Sequence, residues 1–175
     1  MRARLTSQTI FLLALGVAGP LGVFRATPAS GDTLVAFTAV LNAAQETPPV
    51  ESGSQGVALV LLDKDTNKVC YRLSYSPLAG TELLAHFHGP GAPGVSANVI
   101  ATIDTPGPSP IGSPKHGCVS LTKEQVNKML NKGLVYINVH SSVAPSGEIR
   151  GQVLPAGIKY TKQPEPTSPS GAFLE

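Results

Sequence analysis

In KVCYRLSYS, residues 68–76, Val69, Tyr71, Leu73 and Tyr75 take every second position, with Cys70, Arg72 and Ser74 between them. Only an extended strand turns alternate residues to opposite faces, so this stretch is a strand with one buried side. The same β-branched and aromatic composition marks TLVAFTAVLN (33–42) and GVALVLLD (56–63). DKDTN, residues 63–67, is turn chemistry, so the second and third strands should form a hairpin. Further candidates are 81–88, 98–104, 116–121, 134–141 and 147–154, which makes eight strands in all. The chain of 175 residues has 18 glycines and 16 prolines, which favours short elements joined by turns. The expected fold is all-β, an antiparallel Greek-key sandwich or barrel of about eight strands with one short helix.

That helix is read from LTKEQVNKMLNKG, residues 121–133. Thr122 as N-cap and Gln125 three positions on make a capping box, with Leu121 and Val126 as its hydrophobic staple. Val126, Met129 and Leu130 give the apolar stripe, and Gly133 the stop.

Both ends of the chain read as lying outside this domain. Arg2 and Arg4 precede an apolar run from Ile10 to Phe24, the order of a secretory signal, and cleavage after Ala29 gives a signal peptide over 1–29. An uncleaved anchor is the alternative, since the run approaches the roughly 20 residues of a membrane span. After cleavage no segment is long enough to span a membrane. The β domain is expected over 32–156 and a flexible tail over 157–175, rich in Pro, Ser and Thr. Beyond residue 30 there are ten basic and eleven acidic residues, a net charge of −1 with His neutral, so nothing points to nucleic acid. The protein is expected to be exported to the periplasm, the cell surface or the extracellular space. In such an oxidising compartment Cys70 and Cys118 should form a disulfide, with 47 residues between them.

The chemistry-bearing residues are few. The sequence contains no GxSxG, no phosphate loop and no dinucleotide fingerprint. Whether the chain is an enzyme stays open, and a non-enzymatic role is favoured. Of four histidines, His86 and His88 lie two apart on one strand and so share a face, opposite Leu83, Ala85 and Phe87. His140 shares a face with Tyr136 and Asn138, opposite Val135, Ile137 and Val139. If the two strands are neighbours, the three rings converge. His116, beside Cys118, is a candidate fourth member. Imidazoles without thiolate or clustered carboxylate suit copper or zinc, with copper the candidate cofactor. Glu46 is read as a structural ion-pair partner of Arg150 or Arg72.

Three stretches, LNAAQETPPVESGSQGVALVLLD, NKVCYRLSYSPLAGTELLAHFHGPG and GLVYINVHSSVAPSGEIRGQV, resemble the CHRD domain, named after chordin and common in exported bacterial proteins. The resemblance spans about residues 34–154. It implies a β-sandwich with a cysteine pair, acting as a binding or structural module with a protein or cell-envelope partner. The HxH pair followed by INVH on a later strand is also distantly similar to the Cu/Zn superoxide dismutase barrel. That similarity implies a copper site from His86, His88, His116 and His140, with Arg150 in the place of a guiding arginine. It leaves no histidine for zinc, so the resulting protein would be a copper-only redox or metal-storage protein.

Overall fold

The computed structural model describes residues 33–103 and 112–161; residues 1–29, read as a signal peptide, lie outside them. Among the described residues, nine strands form one antiparallel sheet: β1 (Thr33–Asn42), β2 (Gln55–Asp63), β3 (Lys68–Tyr75), β4 (Glu82–His88), β5 (Val99–Thr102), β6 (Lys115–Ser120), β7 (Tyr136–Ser141), β8 (Ile149–Gln152) and β9 (Leu154–Thr161). The order across the sheet is β5-β4-β7-β8-β1-β2-β3-β6, and β9 continues beside β1. The end strands β5 and β6 approach one another, so the sheet is a nearly closed barrel. This is the all-β architecture that the alternation implied.

Period two governs the packing. Ala58, Val60 and Leu62 of β2 and Val69, Tyr71 and Leu73 of β3 point inward, joined in the barrel by Phe37, Leu41, Phe87, Ile137 and Ile149. Each large side chain removed from water here stabilises the fold by about 1.5–3 kcal/mol. The β2–β3 hairpin forms as expected, with Asp63 paired to Lys68 and Gly56 to Tyr75. Cys70 faces Cys118 across β3 and β6, and the two are bonded with an S–S distance of 2.08 Å.

The helical segment packs Leu121, Val126 and Leu130 into the core cluster. The Gln125 N–H donates to Thr122 Oγ1 (3.1 Å) and the Thr122 N–H donates to Gln125 Oε1 (2.7 Å), so the capping box is realised. Leu121, Val126 and Leu130 are buried, and Gly133 ends the segment at φ +68°. The helix is a wide turn over Gln125–Met129 that tightens to a 3-10 turn at Leu130–Lys132.

Two sequence expectations need correction. The last expected strand, 147–154, is divided at Val153, and pairing resumes in β9, where Tyr160 lies opposite Leu34 and Lys159 opposite Val35. Residues 157–161 therefore belong to the sheet and not to a tail, because β1 has backbone groups left to satisfy beyond the end of β8. Residues 162–175 lie outside the described residues. Leu83 is 45% exposed and not inside with Ala85 and Phe87, since the β4–β7 register shifts between Glu82 and Leu84 and inverts the alternation at that point.

Candidate metal centre

Strands β4 and β7 are neighbours, and their register sets the site. Leu84 pairs with His140, His86 with Asn138 and His88 with Tyr136. The shared face of these strands, continued by Arg150 and Gln152 on β8, looks away from the barrel core. It is nevertheless enclosed. Tyr136, Asn138, His140 and Arg150 are all under a tenth exposed, because the loop after β4 folds back over Tyr136 and Arg150, while Glu46 and the β7–β8 turn lie against Asn138 and His140. The Gly91 N–H donates to Leu134 O (2.8 Å), and Gln152 Nε2 donates to Gly91 O (2.7 Å). A Cβ on Gly91 would lie 3.0 Å from the Tyr136 ring, which explains a glycine there by close approach. Of the three glycines in GPGAPG, only Gly94 adopts a positive φ, at +76°.

The rings of His86, His88 and His140 come together, with one ligand atom from each lying within 4.8 Å of the others. His86 Nδ1 is 3.1 Å from His140 Nε2. Nitrogens about 2 Å from a shared ion are roughly 3.3 Å apart, so small ring movements close this group on a metal. The backbone sets the tautomers. His88 Nδ1 lies 2.9 Å from Ala97 O, and His140 Nδ1 lies 2.9 Å from Pro145 O. A carbonyl oxygen only accepts, so both Nδ1 atoms carry the hydrogen and both Nε2 atoms present a lone pair. His86 then donates from Nδ1 to His140 Nε2. His88 Nε2 is buried and has no hydrogen-bond partner among the described residues.

Electrostatically the three rings are held neutral. Burial, followed by the charges of His140 and His88, pushes His86 down to about 4. Burial also lowers His88, against its hydrogen bond to Ala97 and with help from the charges of His140 and Arg150. His140 is lowered by burial too, against its bond to Pro145. Neutral imidazole is the form that binds a metal.

His116 is not brought to the group. It is exposed on β6, opposite Arg72 of β3 and at the other end of the strand order. The four-histidine set implied by the dismutase similarity is thus reduced to three. Arg150, on the outward face beside the inward Ile149, is 2% exposed, and its guanidinium carbon sits 3.5 Å from the centre of the Tyr136 ring. Its Nη2 donates to Ala92 O and Val95 O, both at 3.0 Å, and its Nη1 to Thr47 Oγ1 at 3.3 Å. Tyr136 in turn stacks on His88, with ring centres 4.9 Å apart and planes 4° from parallel. Glu46 lies in the field of Arg150 but is hydrogen-bonded by Asn138 Nδ2 at 3.3 Å. Burial raises its carboxyl to about 7, against the lowering effects of Arg150 and Asn138.

Sequence reasoning missed Glu148. This side chain is fully buried, and its Oε1 accepts from Ser52 Oγ (2.7 Å), Ser54 Oγ (2.9 Å) and the Ala79 N–H (2.7 Å). It ties the β1–β2 loop and the β3–β4 loop to the β7–β8 turn, which also carries Pro145. Alternation sets Glu148 opposite the inward Ile149, so neither its burial nor its partners were announced by the sequence.

Among the described residues no helix is long and apolar enough to cross a membrane. Comparison with curated proteins and with solved structures finds no match. The model of the CHRD domain, in contrast, matches residues 37–153, from the inward Phe37 of β1 to the break between β8 and β9. That span takes in the histidine-bearing strands, the cystine and the Arg150 stack, and the chain belongs to the CHRD domain family, a membership that supports a binding or structural module.

Proposed function

We propose that the protein is an exported, non-enzymatic binding module of the periplasm, the cell surface or the extracellular space, and that it binds one copper ion through His86, His88 and His140. The observation that carries this reading is the arrangement of lone pairs. Two backbone carbonyls fix the Nδ1 hydrogens of His88 and His140, so both Nε2 atoms present a lone pair, that of His140 directly to His86 at 3.1 Å. His88 Nε2 is buried without a partner, which is costly unless something occupies the space before it. A metal ion relieves that cost and replaces the proton that His86 shares with His140. Tethering Nδ1 to a carbonyl also orients a ring and raises its basicity as a ligand. Three imidazoles favour copper over zinc by the general affinity order of divalent ions. Export is supported by the charged and apolar leader over 1–29 and by the cystine.

Titration of tag-free protein with copper(II) tests the reading. One equivalent is expected to bind, with the double variant His86→Ala, His140→Ala losing it and zinc binding more weakly. At 100 times the dissociation constant, free metal should stabilise the fold by about 2.7 kcal/mol. Absence of stoichiometric binding of copper in either oxidation state, or binding that survives the double substitution, would remove copper as the ligand.

A further inference from the structure

The chemistry around the three imidazoles bears on which charge state of copper they hold. No carboxylate or thiolate joins the convergent donors among the described residues. The ion therefore keeps its full charge in a half-buried place. On the far side of His88 there is a second, permanent positive charge. Tyr136 on β7 is flanked by His88 on β4 and Arg150 on β8, with the imidazole parallel to its ring and the guanidinium carbon 3.5 Å from its centre. Arg150 is 2% exposed and fixed by the Ala92 and Val95 carbonyls, and the buried Glu46 in its field, raised to about 7, neutralises it only in part at neutral pH.

We propose that the site is tuned to monovalent copper, with Arg150 as the positioning residue that acts through Tyr136 and His88. This rests on the copper reading above and specifies its oxidation state. Each unit of charge added to the ion is opposed by the guanidinium and by incomplete solvation. Against a monovalent ion, a divalent one meets twice the repulsion from the guanidinium and about four times the cost of lost solvation. Coordination points the same way: copper(II) seeks a tetragonal set of four or more donors, and the protein supplies three. Across a stacked ring, at a partly screened dielectric, one charge should shift the preference about tenfold.

The experiment measures both affinities on the purified protein with its disulfide intact. Copper(I) is presented anaerobically against bicinchoninate, and copper(II) against nitrilotriacetate. The wild type is expected to hold copper(I) at least about 100-fold more tightly, about 2.7 kcal/mol. In Arg150→Gln that ratio should fall about tenfold, while Arg150→Lys should keep most of it. Tyr136→Leu removes the stack without touching the charge and should also lower the ratio; it serves if Arg150→Gln fails to fold. Equal or tighter binding of copper(II) by the wild type would overturn this inference and leave the copper reading standing. An unchanged ratio in folded Arg150→Gln, or in folded Tyr136→Leu where the former does not fold, would overturn the role of the stack. Failure to bind either ion would remove the copper reading itself.

Discussion

Replacing Glu148 should be among the most destabilising single changes outside the apolar core. Three donors converge on Oε1: the hydroxyls of Ser52 and Ser54 and the N–H of Ala79. The carboxylate thus holds the β1–β2 loop and the β3–β4 loop against the start of β8. Burial alone would push the Glu148 carboxyl up, but the bonds from Ala79, Ser141, Ser52 and Ser54 outweigh it and bring it down to about 2. In Glu148→Ala the serines can turn elsewhere, since Ser54 Oγ already reaches Pro77 O at 2.9 Å, but the Ala79 N–H cannot. Loss of charge-assisted bonds worth about 1.5–3 kcal/mol, plus the cavity, gives a cost of roughly 3–4 kcal/mol. Glu148→Gln keeps an acceptor and should cost about half as much. For a domain of this size the Ala variant should melt roughly 12 °C lower.

The pH profile provides a second readout of the same contacts. Because the folded carboxyl is depressed below its ordinary value of 4.5, the unfolded state binds more protons between pH 4.5 and about 2. Its contribution is complete above that window and is lost as pH falls through it. Chemical denaturation of wild type and Glu148→Gln at several pH values isolates the effect, since other carboxylates cancel in the difference. The two curves should converge as pH approaches 2. A loss under 1 kcal/mol in Glu148→Ala at pH 7, or parallel pH curves, would refute the reasoning.

Three other outcomes are expected. Native protein should resist thiol labelling, and reduction of the Cys70–Cys118 bond, which spans 48 positions, should destabilise by up to about 4 kcal/mol; labelling of both cysteines without reductant would contradict this. A chain cut after Ala156 should be measurably less stable in urea than one cut after Thr161, since only the longer one keeps the β1–β9 pairs at Leu34 and Val35; equal midpoints would return residues 157–161 to the tail. Glu46→Gln should stabilise above pH 7 and be near neutral below pH 4.5, because a carboxyl raised to about 7 costs stability as pH climbs through that range; a variant less stable than wild type at pH 8 would show that the Glu46 charge is needed.

The parts of this fold that were legible are those set by local period and turn chemistry. Alternation in β2 and β3 identified the inward residues, DKDTN identified the hairpin, and Thr122 with Gln125 identified the helix start down to both hydrogen bonds. The illegible parts depend on long-range register. Nothing near Leu83 announces the shift that exposes it, because that shift is a property of the β4–β7 pair. Nothing in PAGIKYT announces a strand, because its partner is the free edge of β1 more than a hundred residues earlier.

The histidines divide along the same line, and one further step was available from the sequence. Period two correctly put His86 with His88, and His140 with Tyr136. Only the adjacency of β4 and β7 could join the two sets, and that adjacency is not written in either strand. His116 was different. Once Cys70 and Cys118 are taken as bonded, their strands must run side by side, and in an antiparallel pair with Cys70 opposite Cys118 the residue two before Cys118 faces the residue two after Cys70. That residue is Arg72, and the structure pairs it with His116. His116 was therefore already committed to the β3 side of the barrel by the cystine. The other three rings, unlike His116, are free to act together. They sit on the outward face of β4 and β7, where the core makes no demand on residue type, with the loop after β4 against His88 and the β7–β8 turn against His140. A barrel whose interior is filled by aliphatic residues can carry such a covered outer layer without altering its core. That layer holds the polar side chains with the least reason to be there for packing alone: His86, His88, His140, Tyr136, Asn138 and Arg150.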